Sequence, residues 1–269
     1  MISEYDYRIA IPTYNRAFLI KEKTIGTLQK LNVDPARVTI FVADDEQRKQ
    51  YEYALRESPY QQIVVGVPKL PAQRNFIQNY YSEGTRLVQL DDDIDEILRR
   101  VDEKNVESIT DFDDQVVYPA FKACEQTGAH LWGTYAVNNP FFMSDKVAVG
   151  LYFCIGVMWG HIIRHDDDLI LNVTEKEDYQ RTLQYFTKDG CVCRLNNIHA
   201  KSVYLKTPGG IEYRTPESNT KAATYLTETY PELCTMYIRE STGRAELRLR
   251  DGRKNKPVPI ADDNIEQFF

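Results

Sequence analysis

The feature that most constrains this chain is an alternation, over its first ninety residues, of short β-rich runs with longer segments of helical period. Parallel strands cannot be joined by tight turns, so this rhythm implies a mostly parallel sheet whose strands are linked by flanking helices. The runs are Arg8 to Ile11, Val38 to Ala43, Ile63 to Val67 and Arg86 to Leu90. Between the first two, Ala17, Ile20, Thr24, Leu28 and Leu31 recur at helical spacing before Asp34-Pro35 breaks the segment. Further helices are expected over Glu46 to Glu57 and Pro71 to Tyr81.

Downstream, a helical pattern from Asp111 to Thr127 ends at Gly128, and His130 to Val137 reads as a strand. The apolar run Val147 to Ile163 follows, then a helix from Glu175 to Thr187 stopped by Asp189-Gly190, and a strand from Cys191 to Leu195. Lys206 to Ile211 reads as a mobile loop because of its paired glycines. A helix from Pro216 to Thr229 and two short strands around Met236 and Leu247 complete the pattern. With 269 residues, 42% of them apolar, the chain can build a large α/β core over 1–205. Residues 1–110 would form a nucleotide half and 111–205 an acceptor half. Residues 206–269 would form a small α+β extension with an acidic, aromatic tail.

The balance of 33 basic and 40 acidic residues gives a net charge of -7, so any polyanion must be met by a local patch. Five cysteines without zinc-ligand spacing read as reduced thiols, and the start of the chain lacks the pattern of an export signal, so a cytoplasmic protein is expected. The run from Val147 to Ile163 is short of the ~20 residues of a spanning helix and contains glycines and a histidine. Buried strands explain it better, and no membrane partner is expected.

The strongest chemical signal is Asp91-Asp92-Asp93, at the C-terminal end of the fourth run, the edge where open parallel sheets bind ligands. Three crowded carboxylates ask for a compensating cation, Mg²⁺ or Mn²⁺, which would also grip a diphosphate. The alternative is a solvated acidic loop or a helix cap. Asp44-Asp45 ends the second run and can bond a ribose or base, or cap the next helix. Pro12-Thr13-Tyr14-Asn15-Arg16 offers a hydroxyl, an aromatic face and a guanidinium at a helix start, with Asn15 as a candidate cap. Gln73-Arg74-Asn75 opens the third helix and could reach the same phosphates, unless Arg74 is an ordinary surface ion pair. Glu177-Asp178 is a second acidic pair, and His199 could complete a metal shell or be structural.

These segments resemble glycosyltransferases of the GT-A fold, a Rossmann-like α/β fold. Arg8 to Arg16, Phe41-Val-Ala-Asp44, Leu70-Pro-Ala-Gln-Arg-Asn-Phe-Ile77 and Leu90-Asp-Asp-Asp-Ile94 are more narrowly similar to the TET/JBP-associated glycosyltransferases, a phage group related to the base J glucosyltransferase. The resemblance implies that Asp91 and Asp93 face the metal and diphosphate of a UDP-sugar while Asp92 orients the ribose or sugar. It implies that Pro12, Thr13, Tyr14, Arg16 and Asp44, with Arg74, hold the donor, and that His199 joins the metal. Glu177 and Asp178 would stand beside the acceptor, with Asp178 as general base of an inverting transfer. The implied acceptor is the hydroxymethyl group of 5-hydroxymethylcytosine in DNA, within a phage-infected bacterial cell.

A base reached in this way would leave the stack, and Tyr135, Phe141, Phe142 and Trp159 are aromatic candidates for receiving it or for core packing. Between Arg239 and Lys256 seven basic residues face three acidic ones, so Arg248, Arg250, Arg253 and Lys254 are candidate DNA contacts, with a solvated hairpin as the alternative. The terminal Phe268-Phe269, after an acidic stretch, suits docking on a sliding clamp or single-strand-binding protein, or folding back on its own domain. Two other functions fit the same residues: transfer to a polysaccharide or glycolipid, and a non-catalytic sugar-nucleotide-binding module.

Overall fold

The computed structural model describes residues 6–202 and 215–254. The expected Lys206 to Ile211 loop and the Phe268-Phe269 tail lie outside the described residues. In chain order the elements are β1 (Tyr7–Pro12), α1 (Ala17–Ile20), a π-helical stretch (Lys21–Ile25), α2 (Gly26–Lys30), β2 (Val38–Val42), α3 (Asp45–Ala54), β3 (Ile63–Val65), α4 (Leu70–Tyr80), β4 (Arg86–Leu90), β5 (Ile94–Arg100) and β6 (Val106–Ser108). A second π stretch (Asp113–Val117) leads into α5 (Tyr118–Thr127), and β7 (Leu131–Thr134), β8 (Val147–Gly150), β9 (Met158–Ile162), α6 (Glu177–Asp189), β10 (Val192–Leu195), β11 (Ile198–Ser202), α7 (Pro216–Thr229), β12 (Cys234–Ile238) and β13 (Ala245–Leu249) follow.

An eight-stranded sheet in the order β3-β2-β1-β4-β9-β7-β10-β8 forms the centre. β1 pairs in parallel with β2 and β4, and β10 with β7, whereas β9 runs against both β4 and β7 and β8 runs against β10. The C-terminal ends of β1, β2, β4 and β7 therefore open on one edge. The apolar run from Val147 to Ile163 becomes the two antiparallel strands β8 and β9. Among the described residues no helix is long and apolar enough to cross a membrane.

Close approach, both between neighbouring strands and between sheet and helix, is set by glycine. A Cβ on Gly160 of β9 would lie 2.5 Å from the Trp132 ring, and one on Gly66 would lie 2.1 Å from Gln73 Oε1. A three-stranded sheet, β11-β5-β6, stands beside the main sheet and begins directly after the aspartate trio. Sequence periodicity did not announce it. Helix α7 and the β12–β13 hairpin do not stand apart from the rest. Ala223, Leu226, Leu233 and Leu247 share one buried cluster with Leu131, Trp159, Leu183 and Phe186.

Candidate active site

Strand β4 is buried between β1 and β9, so the chain leaving it at Asp91 emerges at the ligand edge, where Asp91 N donates to Val157 O at 2.9 Å. The turn is clamped from the helical segment that precedes β2. Thr24 Oγ1 donates to Asp91 O (2.7 Å) and accepts from Ile94 N (3.0 Å), while Thr27 Oγ1 donates to Asp95 O (3.0 Å). Thr24 lies within the π stretch, whose wider winding is a form often met at functional sites.

The three aspartates differ in what they touch. Asp92 is buried with both oxygens engaged: Thr13 Oγ1 donates at 2.6 Å and Arg16 Nη1 at 2.9 Å. Behind Thr13, the Tyr51 hydroxyl lies 2.6 Å away and accepts from Arg16 N at 2.9 Å. A chain of donors thus fixes the loop after β1 onto Asp92. Asp93 lies 3.6 Å from Arg16 Nη1. Asp91 keeps 30% of its side chain exposed and pairs with Arg74 Nη2 at 3.0 Å.

Arg74 is buried rather than surface-paired, and it also donates to Gln89 Oε1 (3.2 Å) and Gly156 O (3.1 Å). It supports the trio from below, so the alternative of an ordinary surface ion pair does not hold. Its neighbours are structural too. Gln73 bridges Val42 O and Val67 N, and Asn75 exchanges bonds with the Leu171 backbone.

Gly156 marks where the second acidic pair arrives. A Cβ placed there would lie 3.6 Å from Arg74 Nη2, 3.6 Å from Glu177 Oε1 and 3.7 Å from Asp178 Cβ. Residues 86 positions apart in sequence, Asp91 and Glu177, are close enough for Glu177 to act on Asp91. Lys176 holds the left-handed conformation at φ 60° as α6 begins, and so turns Glu177 and Asp178 inward. One turn on, Arg181 is 3% exposed, stacks on Trp159 at 3.5 Å and donates to Cys154 O at 3.3 Å. Its Nε and Nη1 have no hydrogen-bond partner among the described residues. Sequence reading passed over Arg181, Tyr51 and Gly156, because nothing local distinguishes a lone arginine, tyrosine or glycine.

Five carboxylates (Asp91, Asp92, Asp93, Glu177, Asp178) therefore face three guanidiniums (Arg16, Arg74, Arg181). The excess is visible in the acidities. Burial, with repulsion from Asp93, Asp92 and Glu177, pushes Asp91 up to about 7 against the pull of Arg74. Burial and then Glu177 push Asp178 up to about 6, opposed by Arg181 and Arg74. Asp92 and Asp93 are raised as well, chiefly by burial. A surplus of two formal negative charges on hard oxygen donors fits a divalent cation such as Mg²⁺ or Mn²⁺. Among the described residues no three His, Cys, Asp or Glu side chains converge as a finished metal cage.

His199 does not join the trio. The β5–β11 register sets it opposite Leu98 while Ser202 meets Ile94, about 13 Å farther along the strand at ~3.3 Å per residue. Its Nδ1 lies 2.9 Å from Tyr135 O, and burial lowers its basicity, so the neutral ring ties β11 to the chain leaving β7.

At the nucleoside end, Pro12 closes β1, Tyr14 is partly exposed, and Asn15 takes φ 54°, so it is a left-handed turn residue and not the expected helix cap. Asp44 caps α3 by accepting from Gln47 N at 2.9 Å, which leaves its second oxygen for a ligand. Of the aromatic candidates, Trp159 is buried between Arg74 and Arg181, Tyr135 lies under Arg194, and Phe141 and Phe142 are exposed. Of the basic candidates, Arg248, Arg250 and Lys254 are exposed. Arg253 is gripped by both oxygens of Asp251 and stacks on Phe186 at 4.6 Å, so it is a structural residue and not a free contact.

No family model matches the chain, and no curated protein matches it. Among solved structures it is similar to residues 1–349 of Staphylococcus aureus TarS, with a TM-score of 0.50 and 14% identity over 84% of this chain and 72% of that one. It is equally similar to the mannosyltransferase PcManGT from Pyrobaculum calidifontis, solved with GDP-Man and Mn²⁺: TM-score 0.50, 13% identity, 84% of this chain and 64% of that one. The fold is GT-A. This chain spans less than two thirds of the mannosyltransferase and 43% of the longer TarS structure. The fold sets Asp91 to Asp93 in the turn that leaves β4, at the ligand edge of the sheet.

Proposed function

We propose that this protein is a glycosyltransferase that uses a divalent cation and a UDP-sugar to glycosylate the hydroxymethyl group of 5-hydroxymethylcytosine in DNA, as a relative of the TET/JBP-associated group. The convergence of Asp91–Asp93 and Glu177–Asp178 around Gly156, with carboxylates in excess over guanidiniums, carries the transferase reading. The GT-A fold and a neighbour solved with a nucleotide sugar and Mn²⁺ support it. The acceptor rests on the sequence resemblance and on the exposed basic hairpin.

Asp91 and Asp93 are the carboxylates left to hold the cation, since Asp92 is engaged by Thr13 and Arg16. When bound, such an ion neutralises charge on the departing diphosphate. Asp92 acts by locking the loop of Pro12, Thr13, Tyr14 and Arg16 that would receive the nucleoside, with Asp44 offering its second oxygen to the ribose or base. Arg74 and Arg181 oppose protonation of the acidic groups from beneath. In an inverting transfer Asp178 removes the acceptor hydroxyl proton, and an acidity near 6 leaves it mostly ionised at neutral pH while still basic enough to accept. Glu177, at the same helix start, raises that basicity.

The test is incubation of hydroxymethylcytosine DNA with a panel of nucleotide sugars, followed by nucleoside mass spectrometry. A sugar-sized mass gain on the modified cytidine, lost in Asp93→Ala with unchanged circular dichroism, is the expected result. Turnover on a polysaccharide or glycolipid with indifference to DNA would move the acceptor. Binding of UDP-sugar without turnover in any arm would reduce the protein to a sugar-nucleotide-binding module.

A further inference from the structure

On the body of this protein the exposed Arg48 and Arg56 pair with Asp45 and Glu57, and the half-buried Arg99, Arg100 and Arg164 pair with Glu107, Asp145 and Asp189. The β12–β13 hairpin departs from that pattern. Arg239, Arg244, Arg248 and Arg250 are all exposed, and none has a carboxylate partner among the described residues. Of the nearby acids, Glu246 is held by Lys176 Nζ at 3.4 Å and Asp251 by Arg253, which leaves Glu240 at the turn. Four guanidiniums without a carboxylate partner among the described residues, on a strip of two short strands in a chain of net charge -7, form a local site for a polyanion.

The strip also carries apolar side chains that a folded protein normally covers. Met236, Tyr237 and Ile238 are 40%, 43% and 54% exposed. Tyr237 stands across from Glu246, and the Arg248 guanidinium lies 5.4 Å from its ring, so one ring face is backed by a cation. An aromatic face among arginines matches a chain of phosphates that also bears unstacked bases. A duplex hides its base faces and could use only the arginines.

We propose that the β12–β13 hairpin docks an unpaired polynucleotide strand, with phosphates on Arg239, Arg244, Arg248 and Arg250 and a base stacked on Tyr237. The hairpin adjoins the acidic site through the Lys176–Glu246 pair, two residues before Asp178, so a strand lying on it runs past the start of α6. The binding itself is argued from the hairpin alone. Its use in catalysis rests on the DNA-acceptor reading above.

The experiment measures fluorescence anisotropy of a labelled oligodeoxythymidine of about 16 nucleotides, the upper end of common single-strand site sizes, with the full chain over a salt series. The wild type should bind the single strand at least tenfold more tightly than a duplex of the same length. The combined variant R239Q/R244Q/R248Q/R250Q should weaken binding and reduce the slope of log affinity against log salt by about 3, at ~0.7 per lost phosphate contact. Tyr237→Ala should weaken single-strand binding about tenfold while leaving the slope and the duplex affinity unchanged. A matched control, Arg48→Gln with Arg56→Gln, should change nothing. Far-ultraviolet circular dichroism and a thermal transition matching the wild type report that the four-arginine variant is folded. Equal binding of duplex and single strand, no effect of the arginine changes, or binding only to phosphatidylglycerol vesicles would overturn the proposal. None of these readings depends on turnover, so failure of the transferase reading would leave them intact.

Discussion

Asp91 sits at the electrostatic centre of the site, and its raised acidity fixes a sign. A carboxyl held near 7 when folded and near 4 when unfolded binds more protons in the native state between those values. The metal-free protein should therefore lose stability as pH rises from about 4 through 7, on the order of 2 kcal/mol once discounted for the solvent that reaches Asp91. Urea titrations across that range should show the fall, and Asp91→Asn should make it shallower, the rest coming from Asp92, Asp93 and Asp178. Arg74 is the buried counter-charge. Arg74→Gln should cost about 3 to 5 kcal/mol by leaving Asp91 uncompensated, a loss that Asp91→Asn in the same chain should largely relieve. For turnover, the acid limb of the pH profile should bend near 6, where Asp178 gains its proton, and Asp178→Asn should lose about 10²- to 10⁴-fold in kcat. At this scale the acidic residues were legible because runs of like charge at a strand end are conspicuous. Arg181 and Tyr51 were not, since their roles depend on contacts with Trp159 and Thr13 across 22 and 38 positions.

At the scale of elements, the parallel half could be read from sequence because each strand there is a short apolar run bracketed by helical period. The β4 limits fell where they were expected, and α7 matched Pro216 to Thr229. Strand β5 escaped because Ile94-Asp-Glu-Ile-Leu-Arg-Arg100 mixes charge with apolar positions, a pattern that fixes no one face. Its strand character comes from pairing with β11 and β6, contacts made across distant sequence. That same register moves His199 away from the trio. The tight junctions make a second kind of prediction. Gly160→Ala would press a methyl into the Trp132 ring and should cost about 1 to 3 kcal/mol, read as a lowered Tm with little change in UDP affinity. Thr24→Val removes both hydroxyl bonds that clamp the Asp91 turn, and it should weaken donor binding more than it lowers Tm.

For the molecule as a whole, residues 216–249 share an apolar cluster with α6 and with strands of the main sheet. Leu226→Ala in that cluster should therefore destabilise the whole fold by about 2 to 5 kcal/mol in a single transition, seen alike by tryptophan fluorescence and far-ultraviolet circular dichroism. A separate early transition would mean that the extension folds alone. All five thiols lie inside the fold, at Cys124, Cys154, Cys191, Cys193 and Cys234. Burial pushes the Cys154 thiol up to about 12 and the Cys191 and Cys234 thiols up to about 11. Maleimide dyes should consequently ignore the native protein. One cysteine introduced at Thr242, on the hairpin turn, would then carry a label without background and let the arrival of a partner be followed in real time.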